Sequence, residues 1–232
     1  MKKYVYLIIL VLGFSNTALA GKIGVSLQAG VFETSAVEKE NSTDTTADAT
    51  VDTSESKDAE GLFGIASIFV EGTLPNDRVS LGLDFVPYAL ESESTSHNQL
   101  SMAVGGDGVN SNDNTESTVI NTVQVDFENL LTLYAKLDFD NSMYAKIGYM
   151  QVEAVTNEVL GTGGKYDDET LNGFTLGLGY ERDLTSGAFV RFEGSYMNIG
   201  GATFKNTVNT GTSVVVDDIE GYGAKVSIGR SF

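Results

Sequence analysis

The sequence predicts an all-β fold, an eight-stranded antiparallel up-and-down barrel that crosses a membrane with its strands. Three observations predict it. Segments from Gly21 to Phe232 alternate apolar residues with small or charged ones. The joins between them alternate between short and turn-like and long and polar. An export-type amino terminus precedes the pattern: Lys2 and Lys3, an apolar stretch from Tyr4 to Phe14, and the small-x-small motif Ala18-Leu19-Ala20. The apolar stretch falls short of the roughly 20 residues of a spanning helix, so residues 1–20 are expected to be a cleaved signal and 21–232 the barrel domain.

Composition narrows the class further. The chain has no cysteine, so closure, packing and lipid must supply the stability that disulfides give many exported domains. The formal net charge of −18 becomes −20 once Lys2 and Lys3 are removed, which makes nucleic acid an improbable partner. Glu33 to Glu60 holds nine carboxylates and two lysines among Ser, Thr and Ala, a composition expected to order poorly.

The segments follow in order. The first sets Ile23, Val25, Leu27, Ala29 and Val31 against Lys22, Gly24, Ser26, Gln28 and Gly30, the period of two that places alternate side chains on opposite faces of a strand. The second, about Gly61 to Gly72, is apolar on both faces, and its orientation stays open. Leu74-Pro75-Asn76-Asp77 is a tight turn by its residue types. The third sets Val79, Leu81, Leu83 and Phe85 against Ser80, Gly82 and Asp84. The fourth, about Val119 to Leu137, places Val123, Val125, Phe127, Leu131 and Leu133 opposite Gln124, Asp126, Glu128, Thr132 and Lys136.

Asp138 to Ser142 is the second short join. The fifth segment sets Met143, Ala145, Ile147 and Tyr149 against Tyr144, Lys146 and Gly148. The sixth alternates most cleanly, with Phe174, Leu176, Leu178 and Tyr180 opposite Gly173, Thr175, Gly177, Gly179 and Glu181. After the short join Asp183 to Gly187, the seventh sets Val190, Phe192, Gly194 and Tyr196 against Phe189, Arg191, Glu193 and Ser195. The eighth sets Tyr222, Ala224, Val226 and Ile228 against Gly223, Lys225, Ser227 and Gly229. Long polar loops are expected near 33–60, 91–117, 155–170 and 198–220.

Alternation alone fits two barrels with opposite interiors, a soluble one with apolar residues inside and a membrane one with the reverse. The glycine-rich polar face suits a crowded interior. Short joins at one end with long ones at the other, and Phe85, Tyr149, Tyr180, Tyr196 and Tyr222 near strand ends, favour the membrane version. Asp84, Lys146, Glu181, Arg191, Glu193 and Lys225 then face the lumen. Eight strands leave only room for side chains, and buried charge needs partners, so these residues are expected to form a neutralising network.

The exported chain, eight amphipathic segments, three short turns and terminal Phe232 together resemble small outer-membrane barrels of the OmpA-domain and OmpX type. That resemblance implies residence in the outer membrane of a Gram-negative bacterium, with membrane lipids as neighbours. It also implies that Tyr222, Val226, Ile228 and Phe232 form the terminal strand recognised by the barrel-assembly machinery. Arg230 departs from the pattern, standing where an apolar residue is usual. The implied role is structural or surface-interacting, with acidic loops outside. A narrow passive channel for small or cationic solutes is the alternative, and a lipid-modifying enzyme a third reading.

An enzyme needs a positioned base, most often histidine. The single histidine, His97, sits in a polar serine-rich stretch, and a non-catalytic protein without a cofactor or metal is expected. Gly161-Thr162-Gly163-Gly164-Lys165 lacks the residues a phosphate loop requires, and Asp107 to Glu116 lacks the spacing of a calcium loop. The sequence names no surface partner.

Overall fold

The computed structural model describes residues 21–42, 51–75, 77–88, 90–91, 95–102, 116–160, 165–207 and 212–232. The expected export signal at 1–20, Gly161 to Gly164 and Asp107 to Thr115 lie outside the described residues. Twelve strands follow in chain order: β1 (Gly21–Ser42), β2 (Val51–Thr73), β3 (Val79–Phe85), β4 (Leu90–Glu91), β5 (Thr95–Met102), β6 (Glu116–Asp138), β7 (Met143–Leu160), β8 (Glu169–Asp183), β9 (Ala188–Ile199), β10 (Ala202–Lys205), β11 (Thr212–Val216) and β12 (Ile219–Ser231).

Eight of them close a ring. Each neighbour in the order β1-β12-β9-β8-β7-β6-β3-β2 is hydrogen-bonded to the next, and β2 returns to β1. Every pairing is antiparallel. The ends of the domain meet in this ring, where Gly21 N–H donates to the Phe232 carbonyl (3.0 Å) and Phe232 N–H returns the bond (2.9 Å). One end of the ring carries the three short joins. They turn through left-handed residues, Asp77, Ser142, Ser186 and Gly187, with bonds such as Leu74 N–H to Val79 carbonyl (2.7 Å) and Leu184 N–H to Ala188 carbonyl (2.7 Å).

At the other end the strands run on past the ring, and the expectation of long loops there is corrected. β1 and β2 stay in register from Gly21↔Gly72 to Ser42↔Val51, through the acidic segment expected to order poorly. β11 pairs the far side of β1 from Ala36 to Glu40, β10 pairs β11, and β5 pairs β6. Composition measures what side chains can bury. Here the ladder is already registered by the ring below, so each added pair avoids the cost of starting a hairpin, and Val214 and Val216 supply apolar cover.

The fourth segment is also not one face. The β6–β7 register shifts between Glu128 and Leu131, and Asn129 takes a φ of 56°. Such a bulge adds one residue and reverses the parity of the strand, and Asn tolerates the left-handed region it needs. Below it Leu133 points outward while Tyr134 and Lys136 point inward. Above it Val125 and Phe127 pack on the interior core. The open orientation of the second segment is settled too: Ile65 and Phe69 are buried inside and Ile68 is exposed outside.

Inward glycines make room for inward rings. A Cβ at Gly82 would strike the Tyr134 ring, one at Gly179 the Tyr144 ring, and one at Gly229 the Phe189 ring. Outward Gly194 has nothing within 4 Å of a Cβ. Gly179→Val is therefore expected to lower unfolding stability by about 1–3 kcal/mol through overpacking, whereas Gly194→Val leaves it unchanged or raises it. Urea titration of vesicle-inserted protein, followed by circular dichroism, checks the contrast.

Candidate functional site: a charged lumen beneath an apolar cap

The inner wall at the short-turn end carries a closed set of charges. Arg191 Nη2 donates to Glu71 Oε1 (2.9 Å), and its Nε pairs with Glu181. Lys136 Nζ lies 2.8 Å from Asp138, 3.3 Å from Glu181 and 3.4 Å from Glu71, and Lys22 pairs with Glu181. Three cations thus meet three carboxylates. The Arg191 guanidinium also lies between rings, 4.8 Å from the Phe189 centroid and 5.2 Å from that of Phe69. Delocalised and weakly hydrated, it suits such a site better than an ammonium would.

Further along the axis a second layer balances in the same way. Lys225 Nζ donates to Asp84 (2.9 Å) and Lys146 pairs with Glu193, whose other oxygen accepts the Tyr144 hydroxyl (2.9 Å). Neutral pairs follow: Ser26 with Ser227 (2.9 Å), and the Gln28 amide donating to Ser195 (3.1 Å). Lys136 is fully buried, and Glu71, Arg191 and Glu193 nearly so. A carboxylate or ammonium placed there alone would cost several kcal/mol, so the two neutral layers stand or fall as units.

Beyond these layers the interior becomes apolar. Ile65, Val86, Leu130, Met150, Val152, Ala154, Leu171 and Ile199 form one buried cluster, with Tyr166 and Phe204 packed at its far side. The outer surface changes in the opposite sense at the same level. Along β7, outward Ile147 and Tyr149 are exposed apolar residues, and the next outward positions are Gln151 and Glu153; inward, Lys146 is succeeded by Met150 and Val152. On β8, outward Phe174 gives way to Asn172, and inward Thr175 to Leu171. On β9, outward Tyr196 gives way to Asn198, and on β12, Tyr222 to Glu220. The belt below this line is aliphatic and exposed: Ile23 48%, Val25 53%, Leu27 68%, Leu178 65%, Ile228 56%. At the line itself the rings of Phe174, Tyr196 and Tyr222 lie tilted against one another, with centroids 5.9 and 5.2 Å apart. Aliphatic outside with charge inside describes a wall in lipid, and polar outside with apolar inside describes a wall in water. The line between them is the membrane edge.

All six residues singled out from the sequence, Asp84, Lys146, Glu181, Arg191, Glu193 and Lys225, lie on the inner wall of the ring. The structure adds Lys22, Glu71, Lys136, Asp138, Tyr134 and Tyr144. Lys22, Lys136 and Tyr144 lie on their strands' polar faces and could have been found by parity. Glu71 could not, because Phe69 and Ile65 disguise its face as apolar. Tyr222, Val226 and Ile228 point outward on β12, and Phe232 is 80% exposed. Arg230 is exposed one step beyond Ile228, where its stem can lie on the belt and its head reach water or headgroups. His97 lies on β5 opposite Asn121. Among the described residues no group of His, Cys, Asp and Glu could hold a metal ion. No helix among them is long and apolar enough to cross a membrane, which says nothing of strands.

No family model matches this sequence, and no curated protein matches it. Solved structures are similar at low identity. The outer membrane protease OmpT of Escherichia coli is 10% identical with a TM-score of 0.40, over 94% of this chain and 99% of that one. OprG of Pseudomonas aeruginosa is 14% identical with a TM-score of 0.39, over 92% and 97%. Neisserial surface protein A is 11% identical with a TM-score of 0.35, over 90% and 97%. The ring and its aliphatic belt make this chain an eight-stranded transmembrane β-barrel of the outer-membrane type.

Arg191→Met leaves Glu71 and Glu181 short of neutralising charge and is expected to cost about 3–5 kcal/mol. Arg78→Ala, which breaks the exposed pair with Asp140 (2.9 Å), is expected to change stability by less than about 1 kcal/mol. Unfolding midpoints of the two variants in the same vesicles check the difference.

Proposed function

We propose that this protein is a sealed barrel of the Gram-negative outer membrane, with a structural and surface-interacting role and no catalytic one. The observation that carries the reading is the pair of neutral charged layers across the lumen, topped by an apolar core. An ion crossing such a lumen would have to displace paired charges and then enter hydrocarbon-like packing, and both steps are unfavourable. The barrel adds rigid wall to the membrane and presents an acidic rim above it. Glu33 stands opposite both Glu60 and Glu220, and Asp58, Asp217 and Asp218 line the same groove. A rim of that sign attracts cationic groups and repels anionic surfaces. During insertion, the exposed outward row Tyr222, Val226 and Ile228 with Phe232 would serve as the segment the assembly machinery reads.

Envelope fractionation is expected to place the protein in the outer membrane, with a shift in gel mobility between unboiled and boiled samples. In planar lipid bilayers the purified barrel is expected to be silent. Discrete conductance steps whose ion preference changes in Glu193→Gln would replace the sealed reading with the channel.

A further inference from the structure

The chain has four arginines, and two of them are neutralised within the protein. Arg191 is held by Glu71 and Glu181 inside the ring, and Arg78 pairs with Asp140 at the turns. Arg182 on β8 and Arg230 on β12 make no ion pair with any described residue. Both are exposed, and strand period puts both on the outward face: Arg182 follows Leu178 and Tyr180, and Arg230 follows Val226 and Ile228. Asp183, next to Arg182 in the chain, stands opposite inward-facing Phe189 and so turns to the other face.

The register brings these two arginines to either side of one strand. Arg182 stands opposite Val190 and Arg230 opposite Ala188, so β9 runs between them. Sheet geometry sets their Cα atoms about 10 Å apart across the strands and about 7 Å along them. The outward residues in that interval, Ala188 and Val190, are short, and the two arginine stems are long enough to reach one group held above them. Their depth is shared as well. Arg182 lies eight residues from Phe174 and Arg230 eight from Tyr222, two of the rings at the membrane line. Eight residues cover about 27 Å of strand, or about 20 Å of membrane normal at the usual tilt. The stems carry both guanidiniums on to the opposite edge of an apolar band roughly 25 Å tall. That edge is on the periplasmic side, where the short turns of such barrels lie. Outward charges beyond the other edge, Glu153 and Glu220, have the opposite sign.

We propose that Arg182 and Arg230 clamp an anionic phospholipid of the periplasmic leaflet, its phosphate held between the two guanidiniums over Ala188 and Val190. A guanidinium is planar, always charged and weakly hydrated, and its paired N–H groups match phosphate oxygens. A zwitterionic headgroup carries its own cation beside the phosphate, which competes with the arginines, so the clamp selects a headgroup of net negative charge. It gives Arg230 a role in a terminal strand where an apolar residue is usual. The site goes beyond the sealed-barrel reading but rests on its assignment of the outer face to lipid.

The chain contains no tryptophan, so single reporters can be placed one at a time. Val190→Trp sits between the arginines, and Leu81→Trp on β3 sits near the same end across the ring. Each full-length variant is folded into phosphatidylcholine vesicles holding a minor fraction of brominated lipid, either phosphatidylglycerol or phosphatidylcholine. Bromine quenches tryptophan on contact, so the ratio of the two quenching constants reads the lipid preference at that point. Val190→Trp is expected to favour phosphatidylglycerol by about fivefold or more, the discrimination that one or two interfacial cations supply. Leu81→Trp is expected to show no preference. Adding Arg182→Gln and Arg230→Gln to the Val190→Trp chain is expected to bring its ratio down to the Leu81→Trp value. Equal ratios at the two reporters, or a preference that survives loss of both arginines, would overturn the clamp and leave the membrane assignment standing. Absence of quenching by either lipid at both reporters would mean that the outer face does not meet lipid, and both readings would fall. Should the doubly substituted chain not fold, the comparison of the two reporters decides.

Discussion

A backbone amide in hydrocarbon has no water to bond, and the architecture of this protein follows from that constraint. A strand satisfies only half of its groups with one neighbour, so the sheet must close, and eight strands do so with Gly21 and Phe232 bonded at the join. Closure fixes an inside too narrow for a solvent column. Whatever faces inward must therefore fill space and satisfy its own polarity. The chain meets both needs by setting rings over glycines and by matching every inner cation near the short-turn end with a carboxylate.

That matching explains why the charges are tolerable without making them a source of stability. Replacing such a network by apolar residues of similar volume is often neutral or favourable, and only its partial removal is severe. What the network supplies is a polar interior that cannot be exchanged with the lipid-facing surface. A slip of one residue in β6 or β9 would move Lys136 or Arg191 into lipid, so their ion pairs help to specify register. Above the membrane the demand reverses, and the same strands carry Met150, Val152, Leu171 and Ile199 inward. One continuous wall thus serves two solvents.

Much of this was legible from residue order alone. Period two located the ring segments other than the second, which is apolar on both faces, and Pro75, Asn141 and Gly187 marked the short joins, because both signals are local. The polarity argument pointed to Asp84, Lys146, Glu181, Arg191, Glu193 and Lys225 for the same reason. What escaped was non-local. The Asn129 bulge reverses parity midway along β6, and nothing in a hydrophobic count reveals where a strand gains a residue. Glu71 was hidden because its neighbours inside are Phe69 and Ile65, chosen to pack over Gly24 and the cap. The pairing of β1 with β2 up to Ser42↔Val51 depends on the ring beneath it and on β11 beside it, neither of which composition records.

The account stands on the reversal of solvent exposure along a single strand, and spin labels placed singly from Met143 to Val155 test it most directly. Collision rates with oxygen, which partitions into acyl chains, and with a water-soluble nickel chelate would be measured in vesicles. Positions 143, 145, 147 and 149 are expected to favour oxygen, 151 and 153 the chelate, and the even-numbered positions neither. Chelate access at 145 and 147 equal to that at 151 would mean that the belt faces water, and the transmembrane assignment would be lost.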